Sequence, residues 1–158
     1  VYTYNGKVQS PSVIVKDSEG KSLRNGTDYT VTVPKGRKEI GSYTYTIKFK
    51  GNYAGIVTRS MVINPKATTL SKVKGYKKYF IAKWKKYNVK NTGYELQYST
   101  NARFTSGMKT KEVKSYKTVS LKVKTAKKKY YVRIRTYKRV GGKNYYSAWS
   151  KARTVKVK

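Results

Sequence analysis

The groups that most enzymes rely on are missing from this chain, which has no His and no Cys. Its six acids stand scattered at Asp17, Glu19, Asp28, Glu39, Glu95 and Glu112, without the pairing that acid–base catalysis needs. No catalytic, cofactor-binding or metal-binding residue is assigned on that basis, and an enzyme is not expected. Asp17, Glu19 and Asp28 could be imagined around calcium, but three acids without a ligand-loop spacing read as solvated turn residues. What remains is the chemistry of charge and stacking. Lys122, Lys124, Lys127, Lys128 and Lys129 form a dense basic run suited to a polyanion. Tyr131, Arg133 and Arg135 alternate along one segment, and with Trp149 they could form a platform on which sugars or bases stack. The competing reading is a structural ladder, guanidinium on ring, with no ligand at all.

Charge is the strongest constraint. The chain carries 38 Lys and Arg against 6 Asp and Glu, a net +32, enough to attract a polyanion over a Debye length of roughly 8–10 Å. Residues 1–64 hold 10 basic and 4 acidic side chains, whereas residues 65–158 hold 28 and 2, so +26 of the excess lies in the second part. Edge-strand lysines that discourage sheet-to-sheet aggregation explain some of these charges, but that purpose needs only a few.

Positioning these side chains falls to β-structure. The chain has 17 Tyr, 12 Gly and 3 Pro, with frequent Val, Thr and Ile, and apolar residues alternate at a period of two over short runs. Helix is expected to be nearly absent. Strands are predicted over residues 12–16, 28–33, 41–49 and 56–63, between turn clusters such as Asp17-Ser18-Glu19-Gly20 and Lys50-Gly51-Asn52. Asn64-Pro65 closes this part, because Pro restricts the residue before it and cannot donate to a ladder. Seven further strands are predicted over 68–74, 79–85, 93–99, 110–115, 118–123, 129–137 and 148–156, the spacing of an immunoglobulin-like sandwich. The expected fold class is all-β, two tandem β-sandwich domains, a small one over 1–64 and a larger one over 65–158.

Without Cys, each domain must be held by its core and ladders alone. No apolar run approaches the ~18 residues of a membrane span, and none reads as a signal peptide. Val1-Tyr2-Thr3-Tyr4 reads as the inside of a strand, so the chain is expected to be a piece of a longer protein whose export signal or anchor lies outside it.

Several motifs carry a family resemblance. Trp84 sits in Phe80-Ile81-Ala82-Lys83-Trp84, and a later strand reads Gly93-Tyr94-Glu95-Leu96-Gln97-Tyr98-Ser99. Tyr130, Val132, Ile134 and Thr136 form an inward series, and Tyr146-Ser147-Ala148-Trp149-Ser150 is similar to a WSXWS-type motif with Tyr in the first Trp position. Residues 66–158 resemble a fibronectin type III domain nearly end to end. That resemblance implies a core Trp84, a corner Tyr130 and an Arg–Trp ladder on the outside of the sheet. Through Tyr4-Asn5-Gly6-Lys7, Gly26-Thr27-Asp28-Tyr29 and Gly51-Asn52-Tyr53-Ala54-Gly55, the first part more loosely resembles the short Ig-like repeats of Gram-positive surface proteins.

Three functions from different classes follow as expectations. The first is a non-catalytic accessory or spacer module of a secreted or cell-surface bacterial protein, leaning electrostatically on the anionic cell wall or another polyanion. The second is an adhesin or host-protein binding module, for example for an immunoglobulin or a host glycan, with contacts at Tyr94, Tyr98 and Tyr116, since Tyr is favoured in interface hot spots. The third is non-specific nucleic-acid binding, because a protein of this charge holds DNA at low salt while carrying no sequence-reading motif. The implied location is extracellular, at the cell surface or cell wall.

Overall fold

The computed structural model describes residues 1–90 and 92–158. The fold is all-β: twelve strands and no helix occur among the described residues. The chain divides into two compact units, Val1–Asn64 and Pro65–Lys158.

In the first unit, strands β1 (Tyr2–Thr3), β2 (Tyr29–Thr32), β3 (Gly41–Phe49) and β4 (Ile56–Asn64) form one sheet in the order β1-β4-β3-β2. β1 runs parallel to β4 and the remaining pairs are antiparallel. Alternation along β3 turns Tyr45, Ile47 and Phe49 toward a core that includes Leu23 and Tyr29, and leaves Thr44 and Lys48 exposed. Residues 12–16, predicted as a strand, form no ladder. Val13 and Val15 do pack on the core, but the segment pairs only through the bridge Lys16↔Ser22 and the bond from Leu23 N–H to Val15 C=O. The turn that follows explains the interruption: the Asp17 carboxylate accepts from the N–H groups of Glu19 and Lys21, folding the chain back locally.

The second unit is a sandwich of a three-stranded and a five-stranded sheet. One sheet is β5 (Leu70–Tyr76), β6 (Tyr79–Trp84) and β9 (Ser120–Lys124), in the order β5-β6-β9. The other is β8 (Lys109–Val113), β7 (Thr92–Ser99) and β10 (Lys129–Val140), with β11 (Lys143–Tyr146) and β12 (Arg153–Lys156) both paired to β10. Inward positions of both sheets meet in one core: Phe80, Ala82 and Trp84 face Tyr94, Leu96, Tyr98, Tyr130, Val132 and Ile134. Trp84 is 3 % exposed and its ring lies 5.3 Å from that of Tyr94. Tyr130 lies beside Tyr98 at 5.7 Å and accepts a hydrogen bond from Thr125 Oγ1.

Two glycines are required by close approach. A Cβ on Gly93 would sit 2.5 Å from the Val113 carbonyl oxygen and 2.6 Å from the Tyr137 ring. A Cβ on Gly75 would meet the Lys156 carbonyl oxygen, so the small residue in β5 lets β12 close against it.

Candidate functional site

Of the strand predicted over 148–156 only Arg153–Lys156 forms a ladder, a separate strand β11 precedes it, and the stretch between the two builds a distinct surface feature of the second unit. Tyr137 pairs with Tyr146 on β11 and Val132 pairs with Arg153 on β12. Residues 133–136 of β10 are therefore opposed by the longer stretch 147–152, which bulges outward. Serine hydroxyls hold it in place of a regular ladder. Thr136 N–H donates to Ser147 Oγ at 3.0 Å and Ile134 N–H donates to Ser150 Oγ at 3.1 Å. In return, Ser147 N–H donates to the Thr136 carbonyl and Ser150 N–H to that of Ile134.

The bulge carries Trp149 over the outward arginines of β10. The Arg133 guanidinium lies 4.5 Å from the Trp149 ring centroid and that of Arg135 lies 4.3 Å away. Further rings extend the stack at both ends: Phe104 stands 4.1 Å from Arg133 and Tyr146 stands 3.7 Å from Arg135. The stack is also bonded sideways to β7. Gln97 Oε1 accepts from Nε and Nη2 of Arg133, and Glu95 Oε1 accepts from Nε and Nη2 of Arg135 at 3.0 and 2.7 Å. Burial, then the neighbouring Arg135 charge, lowers the Arg133 pKa from its ordinary value, as expected of a cation held by rings more than by water. Tyr131 stands apart from this stack and lies under the Lys129 ammonium at 5.4 Å.

The two acids of this unit stand opposite each other on the same outer face, Glu95 on β7 and Glu112 on β8. Glu112 Oε1 accepts a hydrogen bond from the Tyr137 hydroxyl at 2.5 Å, so both carboxylates are engaged internally. Burial and that hydrogen bond push the Tyr137 phenol well above its ordinary range. With its acids so engaged, the unit presents lysines nearly unopposed.

The basic run separates into two places. Lys122 and Lys124 lie on the outer face of β9, Lys127 and Lys128 in the connection to β10, and Lys129 at the first position of β10 opposite Lys156. All five are exposed. Sequence reading missed what surrounds the first two. The register β5–β6–β9 puts Lys72 opposite Lys83, Tyr76 opposite Tyr79, and Lys122 and Lys124 opposite Ile81 and Tyr79. These residues share one outer face. Its signal in the sequence is the period-two spacing of Lys72, Lys74 and Tyr76, of Tyr79, Ile81 and Lys83, and of Lys122 and Lys124. Only the strand register shows that the three series are neighbours.

The tyrosines placed on a contact surface in the second functional expectation lie elsewhere. Tyr94 is fully buried and Tyr98 is 3 % exposed, because β7 turns Tyr94, Leu96 and Tyr98 inward and Glu95 and Gln97 outward. The Tyr94 hydroxyl accepts from Tyr87 N–H and donates to the Tyr116 carbonyl, both at 2.8 Å. Tyr116 is half-buried beside the Lys86 ammonium. In the first unit, the Asp28 carboxylate accepts from Arg24 N–H at 2.8 Å, so Asp28 and the turn residue Asp17 both serve local backbone donors.

No family model matches the chain, and no curated protein matches it. Among solved structures, the FN1–FN3 domains of chicken CNTN1 are similar at 16% sequence identity with a TM-score of 0.46. That alignment covers 78% of this chain and 46% of the other, so this chain spans less than half the length of that neighbour.

Proposed function

We propose that this chain is a non-catalytic accessory module of a secreted or cell-surface bacterial protein, and that it associates electrostatically with an anionic polymer of the cell wall. The observation that carries this reading is the disposition of charge in the second unit. Its 28 basic side chains face 2 acids, and both acids are engaged, Glu95 by Arg135 and Glu112 by Tyr137. Exposed lysines bind a polyanion by displacing its condensed counterions, a driving force that added salt removes. The ladder of Arg133, Arg135 and Trp149 belongs to the scaffold in this reading, since its cations already have ring and side-chain partners.

The test is binding of the whole chain to purified anionic wall polymer and to intact Gram-positive cells across a salt series. Affinity should fall steeply between about 50 and 200 mM salt. Binding that persists at about 0.5 M salt and is lost on substitution of a single exposed aromatic residue would overturn the electrostatic reading in favour of a specific protein or glycan contact.

A further inference from the structure

The outer face of the sheet β5-β6-β9 carries Lys72, Lys74, Lys83, Lys122 and Lys124, all exposed, around the stacked pair Tyr76 and Tyr79. No carboxylate shares this face, because the acids of the unit, Glu95 and Glu112, stand on the outer face of the other sheet. We propose that this face is the binding surface for a linear phosphodiester polymer that lacks aromatic bases, an inference that rests on the polyanion reading above and assigns it a place.

Geometry makes the five charges act together. Residues two apart on a strand are separated by roughly 6.5–7 Å and adjacent strands by about 4.8 Å, so the patch is of the order of one Debye length across. Lys72, Lys74, Tyr76, Ile81 and Lys83 also line a shallow hollow on the same face. The type of cation bears on how the ligand is held. The face carries Lys and no Arg, so it meets a repeating anion with compact point charges that follow the polymer's charge without the bidentate fork that would fix one anion in one geometry.

The tyrosines disfavour a base-bearing ligand. Tyr76 and Tyr79 stack on each other at 4.8 Å with an interplanar angle of 10°. Lys122 Nζ lies 4.0 Å from the Tyr79 ring centroid and Lys74 Nζ lies 5.4 Å from that of Tyr76. Their ring faces are thus engaged within the protein, and a nucleobase would have to displace those contacts before it could stack.

The experiment compares two variants of equal charge in the full chain. One is Lys72→Gln, Lys83→Gln, Lys124→Gln, which leaves both lysine–tyrosine contacts in place. The control is Lys111→Gln, Lys114→Gln, Lys117→Gln, at and beyond β8, where all three lysines are exposed. The probe is purified poly(glycerol phosphate) at about 50 mM salt, with single-stranded DNA and dextran sulfate at matched charge concentration beside it. The face variant should lose roughly tenfold or more in affinity and the control less than about threefold, because only the former removes counterion-releasing contacts. Replacing Lys72, Lys83 and Lys124 by Arg should retain binding to within a few-fold, which separates loss of charge from loss of folding.

Equal losses in the two Gln variants would overturn the assignment to this face while leaving the electrostatic function standing. No binding by the unaltered chain would remove that function itself. Tighter binding of DNA or dextran sulfate than of the polyol phosphate would overturn the ligand class.

Discussion

The guanidinium of Arg135 lies 4.3 Å from the centroid of Trp149, although the two residues belong to segments that do not pair in a regular ladder. Their meeting depends on the bulge over residues 147–152. Arg135 also makes two bonds to Glu95, which fix the plane of its guanidinium. A double-mutant cycle of Arg135→Lys and Trp149→Ala should show a coupling of about 0.5–1 kcal/mol in unfolding free energy, since Lys lacks the planar fork. Additive losses would show that the two side chains are neighbours without a stabilising contact.

The serine hydroxyls replace backbone acceptors, and their removal should cost more than a surface substitution. Ser147→Ala leaves Thr136 N–H, buried in the sheet, without its acceptor. We expect a loss of about 1–3 kcal/mol for Ser147→Ala and somewhat less for the more exposed Ser150→Ala. Unfolding free energies within about 0.3 kcal/mol of the unaltered chain would mean that water takes the place of the hydroxyl.

Gly93→Ala tests the packing of Tyr137. The added methyl would have to displace the Val113 carbonyl and the Tyr137 ring together. Destabilisation of at least about 3 kcal/mol is expected, the upper range for an overpacked core. A crystal structure of a stable variant with both groups unmoved would contradict this expectation.

Alkaline pH should weaken the fold through buried phenols. Tyr137 holds its proton well above the ordinary value of 10.0, because burial disfavours phenolate and Glu112 accepts the hydroxyl. Its stabilising contribution is intact below about pH 10 and declines as pH rises further, where the unfolded chain releases the proton first. Burial displaces Tyr94 and Tyr98 in the same direction. Denaturation midpoints above about pH 10 should therefore fall, and Tyr137→Phe should flatten that fall by about one proton in the linkage slope. An unchanged slope in the variant would show that Tyr137 ionises alike in both states.

Tyr94→Phe separates scaffold from binding surface. The change removes a hydroxyl that bridges Tyr87 N–H and the Tyr116 carbonyl, so stability should drop by about 1–3 kcal/mol. Polymer binding below the melting range should stay within about twofold of the unaltered chain. A large loss of binding with stability intact would return Tyr94 to the contact surface.

The sequence revealed most where side-chain alternation alone decides the outcome. The inward series Tyr130, Val132, Ile134 and Thr136 follows from period two, and all four residues are buried. The same rule, applied to Tyr94, Leu96 and Tyr98, places the tyrosines inside, against an argument from the abundance of Tyr at interfaces. Residues 12–16 had strand composition but lost their ladder to the Asp17 turn, a competition that local side-chain bonding wins. The lysine face was hidden because β5 and β9 are far apart in sequence and meet only on either side of β6. Phe104 completes the arginine stack from a loop, with φ 54°, and no periodic pattern marks such a position.

The way the second unit closes determines how it would carry a mechanical load. The segment leading into β5 is held to β10, where Thr136 Oγ1 donates to the Lys66 carbonyl. At the opposite end, Lys158 N–H donates to the Tyr76 carbonyl and Lys78 N–H donates to that of Lys158. A pull applied at Pro65 and Lys158 thus runs along the strand axes, and the ladders that bind β5 to β6 and β12 to β10 are loaded in shear. Bonds loaded in that direction share the load across the ladder and do not open one at a time, and the unfolding rate governs how long the unit withstands it. A unit with this geometry resists extension between Pro65 and Lys158 more than one whose terminal strands peel away end to end.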